Sequence, residues 1–361
     1  MSRILIAAGG TGGHMFPARA FAEALIARGR EVVLVTDPRG ERYAVDFPAA
    51  RTLILPVANA DVGGLGGKLR AALGHARSLL AASAFIGREQ PAVVVGFGGY
   101  PSFPALATAG RIPILIHEQN AVLGRVNRLF QGRAAAVASG FARLERLHPQ
   151  AGGKHVVVGN PVRAPITAAR ETVFCPPAGD GPLNILITGG SQGARVLGEA
   201  VPAAIAALPE PLRLLLHVTH QVREQQLAAA RETYGAAGVK ADIAPFFKDM
   251  ADLLAKAHLV IGRSGASTVS EIAVVGRPSI LVPLAIATND HQTENARALA
   301  DVGAADVIAE AALSVPDLTA LLERRLGDRS DLIARAAAAR SVGRPDAADA
   351  LADLAIRLIK D

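Results

Sequence analysis

The chain has 361 residues, half of them apolar, and a single cysteine, Cys175, so no intrachain disulfide can form; the length suits two domains of roughly 150–200 residues each. The formal charge of +6 is uneven, with eleven Lys and Arg against four Asp and Glu between Asp61 and Asn160. Three Tyr, eleven Phe and no Trp, without a groove-reading or base-stacking motif, make nucleic acid the weakest partner class and leave an anionic membrane face or a polyanionic small substrate.

The N-terminus enters a strand at once, Arg3–Ala7, which speaks against a secretion signal, and the lone thiol fits a cytosolic setting. The glycine-rich turn Gly9–Gly13 follows, then a helix over Pro17–Arg28 and a strand over Glu31–Thr36. Further strands are expected at Thr52–Leu55, Ala92–Val95, Ile112–Ile116, Ala135–Ala138 and His155–Val158. Such short continuous apolar runs are what a parallel sheet buried on both faces looks like. The uncharged stretch from Pro91 to Gly110 has the length of a membrane span. Its glycines and prolines make it a strand, a loop and a helix instead. A second set of strands is expected at Asn184–Thr188, Leu212–Val218, Val239–Ile243, Leu259–Gly262 and Ser279–Val282. The pattern gives an α/β chain of two doubly wound domains, 1–160 and 161–344, with a terminal helix over 345–361 that must dock elsewhere.

Strand-to-helix turns built of glycine and small hydroxyl residues occur in both halves, at Gly9–His14 and Gly189–Ala194, and each offers free N–H groups to an anion. The first meets neither the dinucleotide nor the Walker spacing; the alternative is a tight turn without a ligand. His14 stands where a base would face a ligand held at those glycines, with a structural role as the rival reading. Gly98-Gly99-Tyr100-Pro101-Ser102 allows close backbone approach to a ligand, or is a crowded turn. His117-Glu118-Gln119-Asn120 follows an apolar strand on the rim where α/β sheets bind ligands, as a hydrogen-bonding wall or a capping network. In the second half, Ser267 and Thr268 suit a phosphate or a helix cap, Glu271 suits a ribose diol, and Asp290-His291-Gln292 fits sugar binding better than metal or hydrolase chemistry.

Taken in order, GGTGGH, GFGGYPS, HEQN, GNPVR, GGSQGA, RSGASTVSE and DHQ with Asn295 resemble the MurG family, the UDP-N-acetylglucosamine:lipid I N-acetylglucosaminyltransferases of bacterial peptidoglycan synthesis. The likeness spans Ile4 to about Asn295. It implies the GT-B architecture, two Rossmann-like domains with parallel sheets facing across a cleft. It also implies inverting transfer of GlcNAc from UDP-GlcNAc to the C4 hydroxyl of an undecaprenyl-pyrophosphoryl-MurNAc-pentapeptide. By motif, Arg163, Ser191, Phe247, Ala266, Ser267, Thr268, Val269, Ser270, Glu271 and Gln292 belong to the donor site. Thr11, Gly12, Gly13 and Asn120 would close over it, His14 would be the base with Glu118 as competitor, and Tyr100 would support the acceptor.

The resemblance implies no prosthetic group; UDP-GlcNAc is the donor substrate and the need for a divalent cation stays open. It implies a peripheral place on the cytoplasmic face of the bacterial inner membrane. The expected contact is Lys68, Arg70 and Arg77 among Leu65, Leu69 and Leu73, an arrangement that also suits an ordinary solvated helix. Other cell-wall or division proteins are further partners that the family allows. The rival readings are a GT-B enzyme with a soluble acceptor, a UDP-sugar epimerase, or a non-enzymatic nucleotide-sugar binding protein.

Overall fold

The computed structural model describes residues 2–56, 65–177, 181–190, 193–287 and 290–359, with backbone only over 65–69. These residues divide into two compact units, one of Met1–Arg163 with Asp346–Asp361 and one of Ala164–Pro345.

Unit 1 runs β1 (Arg3–Ala7), α1 (Gly12–Ala27), β2 (Glu31–Thr36), α2 (Pro38–Ala44), β3 (Arg51–Ile54), α3 (Leu65–Glu89), β4 (Val93–Gly96), α4 (Gly99–Ala107), β5 (Ile114–Glu118), α5 (Arg125–Phe130), β6 (Ala136–Ser139) and β7 (His155–Val157). Unit 2 runs α6 (Ala164–Ala169), β8 (Leu183–Thr188), α7 (Arg195–Ala206), α8 (Glu210–Arg213), β9 (Leu216–Gln221), α9 (Leu227–Ala236), β10 (Lys240–Ala244), α10 (Met250–Lys256), β11 (Leu259–Gly262), α11 (Ala266–Val275), β12 (Ser279–Leu281), α12 (His291–Ala300), β13 (Ala305–Val307), α13 (Val315–Gly327) and α14 (Arg329–Val342). The last helix, α15 (Ala347–Arg357), belongs to unit 1.

Among the described residues the strand orders are β3-β2-β1-β4-β5-β6-β7 and β10-β9-β8-β11-β12-β13, with parallel pairing throughout. In each sheet the order reverses beside the unit's first strand, between β1 and β4 and between β8 and β11. Such a switch point opens a crevice at the carboxyl ends of the strands, where doubly wound folds bind ligands. The central strands are buried on both faces; Ile4, Leu5 and Ile6 are all fully buried.

Helix α15 packs on α1, placing Leu351, Ala352, Leu354 and Ala355 in the same apolar cluster as Phe21 and Leu25. Arg28 adds ion pairs to Asp349 and Asp353, each at 2.8 Å. Exposed pairs of this kind contribute about 1 kcal/mol at most, so burial of the apolar face holds the helix.

Three elements depart from the sequence pattern. Helix α1 begins at Gly12, ahead of Pro17, so His14 lies in its first turn; proline usually marks a helix start, but here Pro17 sits inside. Strand β5 continues through His117 and Glu118, both buried. The run from Leu212 divides into the short helix α8 and then β9, which carries His220 and Gln221 in the strand. Leucine runs fit either state, and prolines 209 and 211 favour the helical turn.

Candidate active site

At the switch point of unit 1, α1 opens without a side-chain cap at Thr11. Gly10 has a left-handed φ of 84° and donates its N–H to Asp37 Oδ1 at 2.8 Å. Asp37 is 1% exposed, also accepts from Gly40 N at 2.9 Å, and caps α2. A Cβ on Gly9 would lie 2.6 Å from Pro101 and 2.7 Å from Asp37 Oδ1, so only glycine fits beneath that carboxylate. An acidic residue at the end of the second strand often binds a ribose; this one is spent on the loop.

The His14 ring lies with Nδ1 3.0 Å from the carbonyl of Gly9. A carbonyl only accepts, so Nδ1 carries the proton, and the lone pair of the neutral tautomer is on Nε2. A Cβ on Gly98 would sit 3.7 Å from that Nε2, and one on Gly99 3.5 Å from Nδ1. Both glycines have left-handed φ, 80° and 74°, so the backbone there suits glycine and leaves the imidazole uncrowded.

The Glu118 carboxylate is buried. It accepts from Asn120 N and Asn120 Nδ2 through Oε1, and from Gly124 N and Asn127 Nδ2 through Oε2, at 2.8–3.3 Å. Its lone pairs thus organise the loop that presents Asn120. Beneath it, His117 Nε2 donates to Gly159 O, while Nδ1 accepts from Gln119 Nε2. Burial pushes the His117 imidazole down to about 4, against the Gly159 bond, so it stays neutral. Tyr100 turns its hydroxyl to Ser78 Oγ of α3 at 2.9 Å. The Arg163 guanidinium lies 5.1 Å from the centre of the Phe16 ring on α1, a cation–π distance.

At the switch point of unit 2, Gly190 and Gly193 adopt left-handed φ of 73° and 66°; Ser191, assigned to the donor site by motif, lies outside the described residues. Thr188 Oγ1 donates to Gln221 Oε1 at 2.9 Å and accepts from Gly190 N, and Gln221 Nε2 donates to Gly190 O. Helix α11 starts after Gly265 without a side-chain cap, so its first-turn N–H groups face outward with the positive end of the helix dipole. The hydroxyls of Ser264 and Ser267 are buried and have no partner among the described residues. Thr268 and Glu271 are half-buried, Ala266 is buried, and Val269 and Ser270 face the interior.

Arg263, 7% exposed, donates to Val282 O and Pro283 O and pairs with Glu310 at 3.0 Å. Against burial, which raises it, the Arg263 bond holds the Glu310 carboxyl below its ordinary range. Gln292 Oε1 accepts from Leu284 N, and its amide nitrogen has no partner among the described residues. An open cavity of about 480 Å³ is lined by Gly193, Gln221, Arg223, Pro245 and Phe246. The ring that lines it is Phe246, 67% exposed; Phe247, assigned by motif, is half-buried and not part of the lining.

Sequence reasoning passed over Asp37, Gln221 and Glu310. Asp37 had a readable signal, an acidic residue before Pro38 as in a helix N-cap. Gln221 and Glu310 had none, because their partners are distant in sequence.

Two Rossmann-like units with ligand-binding switch points, an imidazole nitrogen without a partner among the described residues at one and an uncapped hydroxyl-lined helix at the other, define a nucleotide-sugar glycosyltransferase of GT-B type. The comparisons are specific: residues 4–139 match the glycosyltransferase family 28 N-terminal domain and residues 184–351 the family 28 C-terminal domain. A protein of Maricaulis maris named UDP-N-acetylglucosamine--N-acetylmuramyl-(pentapeptide) pyrophosphoryl-undecaprenol N-acetylglucosamine transferase is 55% identical, covering 97% of this chain and 96% of its own. One of the same name from Phenylobacterium zucineum is 51% identical over 97% of this chain and 96% of its own. The crystal structure of MurG from Acinetobacter baumannii superposes with a TM-score of 0.81 at 31% identity, covering 99% and 100% of the two chains. The chain belongs to glycosyltransferase family 28, in its MurG branch.

Proposed function

We propose that this enzyme transfers GlcNAc from UDP-GlcNAc to the C4 hydroxyl of an N-acetylmuramyl-pentapeptide carried on a polyprenyl diphosphate, with inversion at the anomeric carbon. The substrates rest on the names of its relatives. The observation that carries the reaction type is the His14 orientation, with Nδ1 tied to Gly9 O and Nε2 without a partner among the described residues.

In the displacement, Nε2 of His14 takes the proton from the acceptor O4 as that oxygen bonds to the anomeric carbon. The bond from that carbon to the β-phosphate oxygen breaks, and UDP leaves. Glu118 and Tyr100 are positioning residues in this reading, since Glu118 holds Asn120 and Tyr100 ties α4 to α3. The leaving diphosphate gains charge, which the first-turn N–H groups of α11 and the hydroxyls of Ser264, Ser267 and Thr268 would stabilise. Glu271 serves the ribose, Gln292 the sugar hydroxyls, and Phe246 with Gln221 and Arg223 the nucleobase side. Thr11, Gly12 and Gly13 lie beside the base.

No helix among the described residues is long and apolar enough to cross a membrane. Peripheral attachment to the cytoplasmic face of the inner membrane is supported by α3, where Arg70, Leu73, Arg77 and Leu80 are exposed at helical spacing. Leu73 and Leu80 are 53% and 71% exposed. The side chains of Leu65, Lys68 and Leu69 lie outside the described residues. Binding to anionic but not to neutral vesicles, weakened in Leu73→Ser/Leu80→Ser, tests this; equal binding to both would refute it. The decisive assay is release of UDP from UDP-GlcNAc with a lipid I analogue. Release that does not depend on the acceptor would overturn the proposed transfer.

A further inference from the structure

The basic excess of unit 1 is not confined to α3. From Gln119 to Asn160 six Lys and Arg stand against one acidic residue, Glu145. Two of the six are struts: Arg133 donates to Leu106 O and Gly110 O, and Lys154 to Gly132 O and Ala134 O. Arg125 and Arg128 belong to α5, while Arg143 and Arg146 lie in the loop that follows β6, on the carboxyl edge of the sheet.

That loop is fastened to the one bearing Asn120. Val122 and Glu145 form a parallel bridge, with Leu123 N donating to Glu145 O at 3.0 Å and Glu145 N to Ala121 O at 2.7 Å. Two residues back along the two segments stand Asn120 and Arg143. Bridged backbones run about 5 Å apart, so Arg143 flanks Asn120, in the segment that the Glu118 carboxylate organises beside the end of β5. Arg143 is exposed and pairs with Glu145 at 2.7 Å. Arg146 is exposed and adopts a left-handed φ of 64°. That conformation is unfavourable for a non-glycine residue, and such strain gathers at ligand-binding turns.

We infer that Arg143, with Arg146 beside it, forms a subsite for a carboxylate of the acceptor's peptide. This rests on the acceptor assignment proposed above. In a muramyl sugar the peptide hangs from the oxygen at C3, next to the reacting C4 hydroxyl. With that hydroxyl at His14, after β1, the peptide starts beside the reaction centre. From β1 across β4 and β5 to β6 is three strand spacings, about 14 Å, and five extended residues span about 17 Å. Glu145 holds the Arg143 guanidinium in the free enzyme. An exposed pair of this kind is weak, so a substrate carboxylate can take Glu145's place through a bidentate contact.

The test is calorimetric titration of a soluble muramyl-pentapeptide, and of the same compound with every peptide carboxylate amidated, into the full chain and its Arg143→Gln, Arg146→Gln and double variants. The expected result is affinity for the carboxylate form falling about tenfold in Arg143→Gln and further in the double variant, with the amidated form bound alike by all. UDP affinity should not change. Equal losses for both compounds, or no loss, would overturn the subsite. The outcome is separate from the proposed reaction: peptide binding that depends on Arg143 without GlcNAc transfer would sink the transferase reading and leave the subsite standing, while transfer with Arg143-independent binding would do the reverse.

Discussion

The glycine loops after β1 and β8 look alike in sequence, yet what braces them differs in charge. In unit 1 the residue after the second strand, Asp37, places a buried carboxylate against Gly10 N–H. In unit 2 the last residue of the second strand, Gln221, braces Gly190 through a neutral amide and Thr188. A phosphate at the first loop would meet a buried carboxylate whose charge Arg39, pairing with Asp37 Oδ2 at 3.3 Å, offsets in part, so the repulsion stays below the roughly 2 kcal/mol of two bare charges 8 Å apart at an effective dielectric of 20. The second loop imposes no such penalty. Equal glycine content therefore conceals unequal loops, the first braced by a buried carboxylate and the second by a neutral amide.

The largest test of this contrast is His14→Ala. Turnover should fall by about 10²–10⁴ while calorimetric UDP affinity stays within twofold; retained turnover would remove the base from unit 1. Next comes acid stability, since each unit buries one neutral histidine. Burial pushes His117 to about 4 and His220 to about 3. Both folded values lie below the unfolded value near 6.5, so the unfolded chain takes up the protons first. Stability is thus lost as pH falls from about 6.5 towards 4, and in unit 2 on towards 3, at up to ~1.4 kcal/mol per pH unit for each histidine. Urea unfolding at pH 7 and 5 should show a smaller difference in His220→Asn than in the parent chain; an unchanged difference would refute this account.

A third expectation concerns the charged brace. Asp37→Ala orphans the N–H of Gly10, while Gly40 N keeps the residue 37 carbonyl, and should cost about 1.5–3 kcal/mol, with kcat reduced and UDP affinity intact. If UDP affinity fell instead, the first loop would be part of the donor site. The smallest effect is expected for Gln221→Glu, which gives the second loop the charge of the first. UDP affinity should drop roughly tenfold at low salt and recover partly at high salt. Gln221→Met removes the same hydrogen bonds without adding charge and should show no salt dependence.

Much of the fold was legible because parallel strands buried on both faces are written as short runs of Val, Ile and Leu, and glycines mark where each meets its helix. The boundaries that slipped are those where local preference was ambiguous or overridden. Leu212–Leu215 fits strand or helix equally. His117 and Glu118 are polar, yet they complete β5 because Gly159, Gln119 and the 120–127 segment satisfy them there. The two units also fill their helix entrances differently, and nothing in GGTGGH or RSGAST says so.

By itself the sequence determined that two α/β halves exist, where their glycine turns and polar strand ends fall, and that His14 and the hydroxyls of 264–268 stand at those ends. Only the tertiary structure decided which of these groups are already spent. Asp37 reaches Gly10 across 27 positions, Gln221 reaches Thr188 across 33, and Tyr100 reaches Ser78 across 22. The first two pairings arise from the order in which parallel strands lie side by side, the third from the packing of α3 on α4. Whether a buried oxygen or nitrogen is free for substrate is settled by such neighbours, because a hydrogen bond needs a partner within about 3 Å in space, however far along the chain that partner lies.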